Sequence, residues 1–528
     1  MNRFIHRKSV FVLLSIFIFG LFLRVNNLHD IFFYGHDQAR DFHAVFEMLT
    51  IPKLKITGPG TDIPGLFAGP LFYYLAAIPS MLFRFNPNAF AILLICINLL
   101  GIPLIYILGK RYANFTVGIV AAFLWALSFE LSNFSRFISN PSLLPISGLI
   151  FFLGLYLFFF EKKQKGLLIS IVGYGLATQT EFYPVYLGIL YPLFFWLYKT
   201  FPTRKTSIYS IILVVLFFSS FVLAEVKFHF MGVQSLFAYL SEPHGYMTLM
   251  DSIRLYYSSL ARTLSLNIFG MGKSISFILF FLLYGIFLFL PFEKKKKLFL
   301  SVWLFATVPL SIFKTNLVGG NFVHSPLYAS YILVVAIVIG TALETKKFRF
   351  MGILVLLIVT FFQLRLYVRD NFTESFVLGH QPMTYHDEKQ VVLYTYEQAH
   401  GKPFSICSVS NPLFVNILWS AVYTLNGEKY GYLPFWAGPS QGASATFLQP
   451  DSDHVPLRFL IIEPSNQLPE HALPTTLYAE NKISRVVEEK IFGKIRVQKR
   501  VVDTNRKIRE NSKYEEILKR DNRYGCFF

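Results

Sequence analysis

The chain has 528 residues, of which 54% are hydrophobic, 18% aromatic and 15% charged, and a soluble enzyme of ordinary composition is excluded by that mixture. The net charge of +18 does not point to nucleic acid, because Lys and Arg gather in short clusters between apolar runs, as cytoplasmic loops do. Three cysteines, Cys96 inside an apolar run and Cys407 and Cys526 far downstream, allow at most one disulfide in a soluble region and no cysteine-based metal cluster.

The first apolar run, Ser9 to about Leu23, follows the basic start MNRFIHRK and stops at Arg24 without a small-residue cleavage pattern. It reads as a retained anchor. Next comes GHDQARDF at residues 35 to 42. If it is helical, Asp37 and Asp41 share one face with Arg40 beside them. Such a face can hold a base, and the alternative is a solvated helix start with acids in its first turn. Further apolar runs lie at 88 to 108, 112 to 131, 141 to 160, 166 to 179, 182 to 199, 207 to 224, 274 to 292, 297 to 313, 324 to 343 and 347 to 366, giving about eleven candidate spans.

The uncharged run Gly65 to Phe83 also passes on hydropathy, and parity decides its place. If it crossed, the basic clusters Lys110–Arg111, Lys162–Lys165, Lys199–Lys205, Lys294–Lys297 and Lys346–Arg349 would all lie outside, against the positive-inside bias. Residues 65 to 83, broken by Gly65, Gly69, Pro70 and Pro79, are therefore expected in the outer interface. The N-terminus is expected in the cytoplasm.

With that topology the polar hairpin tips share the outer side. They carry Asn133, Arg136 and Asn140; Gln179 and Glu181; Lys314, Asn316, Asn321 and His324; and Arg254 in a longer loop. Singly, each also reads as a turn former or a snorkelling cation. Glu181 lies between two apolar runs with barely a loop, where an acid costs roughly 2.5 to 3.5 kcal/mol unless something compensates it. His324 has no spaced His or carboxylate partner and reads as a hydrogen-bond donor, not a metal ligand. After residue 367 the composition turns mixed. DEKQVVLYTYEQAHGKP predicts an amphipathic helix, FSICSV a strand, NPLFVNILWSAVYTLNG a helix, RFLIIEP a strand and RVVEEKIFGKIRVQKRV a hairpin turning near Gly493. The domains expected are 1–366 in the membrane, with a first outer loop over 24–87, an α/β domain over 367–503 outside it, and a charged tail over 504–528 that is a solvated helix or disordered.

These residues resemble the polytopic GT-C glycosyltransferases of the lipid-A aminoarabinose transferase and protein mannosyltransferase type. Asp37-Gln38-Ala39-Arg40 stands where that family carries DE-x-R in the first outer loop, with Gln38 for the second acid. Gly69-Pro70-Leu71-Phe72-Tyr73-Tyr74 matches its Pro-aromatic run, with Ala68 and Gly69 for the usual acid and Lys. Arg136 to Pro141 is similar to its third landmark, with Asn140 in place of the acid. The DQARD wording also resembles poorly characterised bacterial members. The resemblance implies a polytopic α-helical GT-C-like membrane protein with a C-terminal extracytoplasmic α/β domain, in the inner or plasma membrane. The activity it implies is transfer of a sugar from a polyprenyl-phosphate donor to a glycan, lipid or protein acceptor outside the cytoplasm, by inversion. Asp37 is then the expected general base and Asp41 the second candidate, with Arg40, Tyr73, Arg136, Asn140, Glu181, Lys314 and His324 around the substrates. No cofactor is expected and no metal is indicated. A transporter or flippase of lipid-linked sugars would share the hydropathy, but would place its charges near the midplane and show repeated halves. A catalytically dead scaffold is the third alternative.

Overall fold

The structure, a computed structural model, describes all residues except 1, 27, 29–31, 52, 62, 242–247, 314–320, 370–382, 442–445, 453–454, 465–467, 504–507, 509 and 525–528. The chain divides into two compact units. One holds residues 1–28, 54–76 and 89–379; the other holds 29–53, 77–88 and 380–528. The C-terminal unit therefore takes in two pieces of the stretch 24–87.

Helices in chain order are α1 (Asn2–Val25), α2 (His36–Thr50), α3 (Leu71–Leu82), α4 (Pro87–Leu99), α5 (Gly101–Tyr112), α6 (Phe115–Leu127), α7 (Phe129–Arg136), α8 (Leu144–Phe159) and α9 (Gln164–Thr180). Then follow α10 (Leu190–Tyr198), α11 (Arg204–Lys227), α12 (Met231–Ser241), α13 (Leu249–Leu264), α14 (Lys273–Phe289), α15 (Lys294–Leu304), α16 (Tyr328–Glu344) and α17 (Arg349–Arg369). The C-terminal unit adds α18 (Tyr385–Ala399), α19 (Ile417–Gly427), α20 (Ala472–Ile483) and α21 (Ser512–Arg520).

Among the described residues, five helical segments are long and apolar enough to cross a membrane, or seven if each of two bent pairs is one span. The apolar runs at 166–179, 182–199 and 297–313 form helices of 17, 9 and 11 residues, shorter than a full crossing. Around the 9-residue helix, Tyr183–Ile189 winds more tightly, as a 3-10 turn. Helix α3 has 12 residues, and at about 1.5 Å per residue it falls well short of the roughly 30 Å hydrocarbon core.

In the membrane unit α8 and α9 pack backbone to backbone through glycine. A Cβ on Gly173 would stand 2.3 Å from Phe151 N, and one on Gly154 2.3 Å from Ser170 N. Small residues permit this approach where water provides no hydrophobic drive between helices. Because the obstructing atoms are backbone, Gly173→Ala is expected to destabilise the unit by about 1–3 kcal/mol. A thermal melt in detergent unchanged from wild type would refute that packing.

The pair α6 and α7 is bent by 56°, and the backbone groups freed there are satisfied from three directions. The Ser128 hydroxyl accepts from Leu131 N at 3.3 Å, Gln363 Oε1 accepts from Phe129 N at 2.9 Å, and Arg24 donates to the carbonyls of Trp125 and Ala126 at 3.2 and 3.0 Å. A broken helix persists at membrane depth only on such terms. All of α7 is buried, Glu130, Asn133 and Arg136 included.

The C-terminal unit is built on a sheet of strands β1 (Ser405–Val409), β2 (Phe435–Trp436), β3 (Leu457–Ile462), β4 (Ser484–Phe492) and β5 (Ile495–Val502), in the order β2-β1-β3-β5-β4. The first three run parallel, and β5 is antiparallel to both β3 and β4. β1 and β3 are almost wholly buried, Ser405, Ser408 and Arg458 included. The hairpin turns at Gly493, whose φ of +56° suits a residue without a Cβ. β2 and α20 have no counterpart in the sequence reading, and the helix expected from NPLFVN onward starts only at Ile417. Residues 512–520 of the tail are helical, with none of them buried.

Candidate active site

The acidic motif at residues 35–42 lies in the C-terminal unit, on α2. Gly35 precedes the helix, and its N–H donates to the Gln38 side-chain oxygen at 3.0 Å. Gln38 thus reaches back to the start of the helix as a capping residue does, a role open to amide and acid alike. Arg40 bridges the two carboxylates. Its Nη1 donates to Asp37 Oδ1 at 2.8 Å, while Nε and Nη2 donate to Asp41 Oδ1 at 3.0 and 2.9 Å. The Asp41 side chain is 4% exposed and that of Asp37 is 55% exposed. Asp41 anchors the guanidinium from within, and Asp37 meets solvent.

Around α2 the C-terminal unit buries several titratable groups. His43 stacks on Phe447 with ring centroids 4.0 Å apart, and burial lowers its pKa to about 4, against a backbone hydrogen bond with Ile417. The Tyr34 phenol is pushed well above its usual range by burial, with Tyr385, Glu388 and Asp41 adding to the shift. Tyr385 N in turn donates to Phe32 O at 2.9 Å, tying the loop to the start of α18. Glu463 accepts from Trp419 Nε1 at 2.9 Å and from Asn411 N at 3.1 Å, yet burial still raises its pKa to about 7. Glu388 is fully buried with neither oxygen hydrogen-bonded, and burial, then the Glu463 charge, pushes it well above the usual carboxylate range.

For these two acids the folded pKa exceeds the unfolded one. The stability they contribute is complete below pH 4.5, the ordinary value, and for Glu463 is lost as pH rises through about 7. His43 has the opposite sign, losing its contribution as pH falls from 6.5 through about 4. Glu463→Gln should therefore flatten the fall in melting temperature between about pH 5 and pH 7, whereas an unchanged slope would show that Glu463 does not titrate there.

The membrane unit holds the other expected residues. Asn140 Nδ2 donates to Glu181 Oε1 at 2.9 Å and to Thr180 O at 2.8 Å. That amide is the compensation Glu181 requires. Arg136 is 2% exposed and donates through Nε to Arg24 O at 2.8 Å and through Nη2 to Leu23 O. It caps the last carbonyls of α1, where a cation also suits the helix dipole. Arg24 does the same for α6. Arg24 itself was legible only as the end of the first span, and a buried Arg at a helix terminus is the signal that could have marked it. His324 is fully buried, with Nδ1 3.3 Å from the Tyr331 hydroxyl. Tyr73 is buried on α3. Arg254 is exposed and lies 3.8 Å from Asp251. Lys314 falls outside the described residues. No group of three or more metal-binding side chains occurs among the described residues.

Residues 67–224 match the family described as dolichyl-phosphate-mannose-protein mannosyltransferase. No curated protein sequence matches the chain. Among solved structures, ArnT from Cupriavidus metallidurans in the apo state is similar with a TM-score of 0.58 and 12% identity, over 94% of this chain and 98% of that one. The apo oligosaccharyltransferase of Archaeoglobus fulgidus is similar with a TM-score of 0.48 and 12% identity, over 79% of this chain, which spans 64% of that protein's length. The family match covers residues 67–224, and the likeness to ArnT extends over nearly the whole chain, so this chain is a polytopic membrane protein that shares the ArnT fold.

Proposed function

We propose that this protein is a membrane glycosyltransferase that moves a sugar from a polyprenyl-phosphate donor to a glycan, lipid or protein acceptor on the extracytoplasmic side. The observation that carries it is the mannosyltransferase family match at residues 67–224, next in the chain to the ion-paired carboxylates of α2. In this proposal Asp37 takes the proton from the acceptor hydroxyl as that oxygen attacks the anomeric carbon, and the polyprenyl phosphate leaves. A positioned base is worth on the order of 10²- to 10⁴-fold in rate. The exposure of Asp37 supports this role, since a base must reach the acceptor, and Arg40, pinned by Asp41, fixes the carboxylate's direction. Arg40, with Arg136 and Lys314 as further candidates, stabilises the leaving phosphate, and Tyr73, Asn140, Glu181 and His324 bind substrate. A transporter of lipid-linked sugars is the alternative.

The protein sits in the cell membrane with its N-terminus in the cytoplasm. The basic clusters between the apolar runs support that orientation. Direct attack on the donor inverts the anomeric centre. The sugar in the product is therefore expected to have the configuration opposite to the donor's, read from the anomeric coupling constant by NMR. Retention would exclude a single back-side attack and would contradict a general base at Asp37 on the face opposite the leaving phosphate.

A further inference from the structure

A second face of α2 looks away from the carboxylates. At about 100° per residue, Phe42, Phe46 and Leu49 stand roughly 80° to 180° around the helix from Asp37 and Asp41, and they line a groove of about 980 Å³ within the C-terminal unit. Phe85, Leu433 and Phe447 close it. The floor is aromatic and well packed, with Phe46 centroids 5.1 Å from Phe85 and 4.8 Å from Phe447. Arg84 and Glu428 also line the groove. Both are exposed, and neither side chain has a partner among the described residues, so the two charges do not neutralise each other. Arg84 and Phe85 hold left-handed backbone with φ of 49° and 60°, which for residues other than glycine costs of order 1–3 kcal/mol each. That turn places a cation beside an apolar groove.

Met81 lines the groove and is 69% exposed, and Ile78, Leu82 and Phe83 beside it in the chain are 52%, 71% and 58% exposed, in the segment that the sequence assigns to the outer membrane interface. A contiguous apolar surface of this kind marks a membrane or ligand contact. Three classes of occupant fit poorly. A neutral sugar would bring no counter-charge to either group, a purely anionic amphiphile would bring a second negative group to Glu428, and a phosphocholine has no N–H to donate to it.

We propose that this groove holds one membrane lipid with a phosphoethanolamine head, its acyl chain along the aromatic floor, its phosphate at Arg84 and its ammonium at Glu428. The site is separate from the proposed transfer chemistry and stands whether or not the chain transfers sugar. The test is lipid binding to the purified full-length protein in detergent, followed by native mass spectrometry. Phosphatidylethanolamine, phosphatidylglycerol, phosphatidylcholine and a short polyprenyl phosphate are compared at equal chain content. Phosphatidylethanolamine is expected to bind about tenfold or more tightly than the others, as one charge-assisted hydrogen bond allows. Arg84→Ala should weaken phosphatidylethanolamine and phosphatidylglycerol alike, Arg84→Lys should restore both, and Glu428→Gln should abolish the preference between them. Melting temperatures equal to wild type show that the variants are folded. Equal or tighter binding of phosphatidylglycerol or the polyprenyl phosphate would overturn the assignment, as would binding indifferent to both substitutions. So would a groove filled instead by a second copy of the chain, seen as a dimer lost in the Arg84→Ala variant.

Discussion

Asp37→Asn is expected to lower sugar-transfer turnover by at least about 10²-fold while leaving donor binding largely intact. The amide keeps the size of the carboxylate but cannot accept the acceptor's proton. It also keeps an oxygen for Arg40 Nη1, which lies 2.8 Å from Asp37 Oδ1, so the geometry of α2 should survive. Asp41→Asn acts differently. Its carboxylate is buried and takes two nitrogens of the same guanidinium, so its loss weakens a partly desolvated charge pair. The result should appear as lowered melting temperature and a smaller fall in turnover. Single-turnover assays with both variants, alongside donor binding, separate the two. A dead Asp41 variant beside an active Asp37 variant would reverse the assignment, and full turnover in both would remove the base from this helix.

The largest expected loss of stability comes from Arg24→Met. Arg24 is fully buried and donates to Asn98 Oδ1, Gly20 O and Ala126 O, each at 3.0 Å, and to Trp125 O at 3.2 Å. Methionine keeps much of the volume and none of the donors. Each buried acceptor left without a partner costs about 1–3 kcal/mol, so the substitution is expected to cost at least about 4 kcal/mol. Its effect should reach Arg136 as well, since that residue donates to the backbone carbonyl of Arg24 at 2.8 Å. Arg24→Lys retains the charge but not the planar fork and should recover only part. The readout is the yield of monodisperse protein and its melting temperature in detergent. A methionine variant within about 0.5 kcal/mol of wild type, the scatter of neutral surface changes, would show that the α6–α7 break does not depend on this cation.

What was legible in the sequence follows from the range of the forces involved. Hydropathy and period are local, so the membrane character, the α18 helix, β1, β3 and the β4–β5 hairpin could be read directly. β2 contains two residues, too few to show any period. The inclusion of residues 29–53 and 77–88 in the C-terminal unit depends on long-range contacts such as Phe32 with Tyr385, which no local pattern encodes. In the site, the spacing of Asp37, Arg40 and Asp41 was enough to expect a shared face, and their ion pairs realise it. The partner of Glu181 lay 41 positions away at Asn140. Nothing in either segment named the other, although the need for compensation was legible. Arg24 and Arg136 offered the same ambiguity: a cation at a span end serves phosphate binding or helix capping equally well in sequence, and only the placement of the carbonyls of Leu23, Trp125 and Ala126 reveals the capping.

This membrane protein is proposed to transfer sugar from a lipid carrier. The most direct measurement follows label from a radiolabelled polyprenyl-phosphate sugar pool in proteoliposomes containing the purified protein and a crude envelope acceptor fraction. Label is expected to leave the lipid for an acceptor with the wild-type protein, and to stay lipid-bound with Asp37→Asn. Label that remains on the carrier with both proteins but crosses the bilayer only when protein is present would contradict the account and identify a transporter.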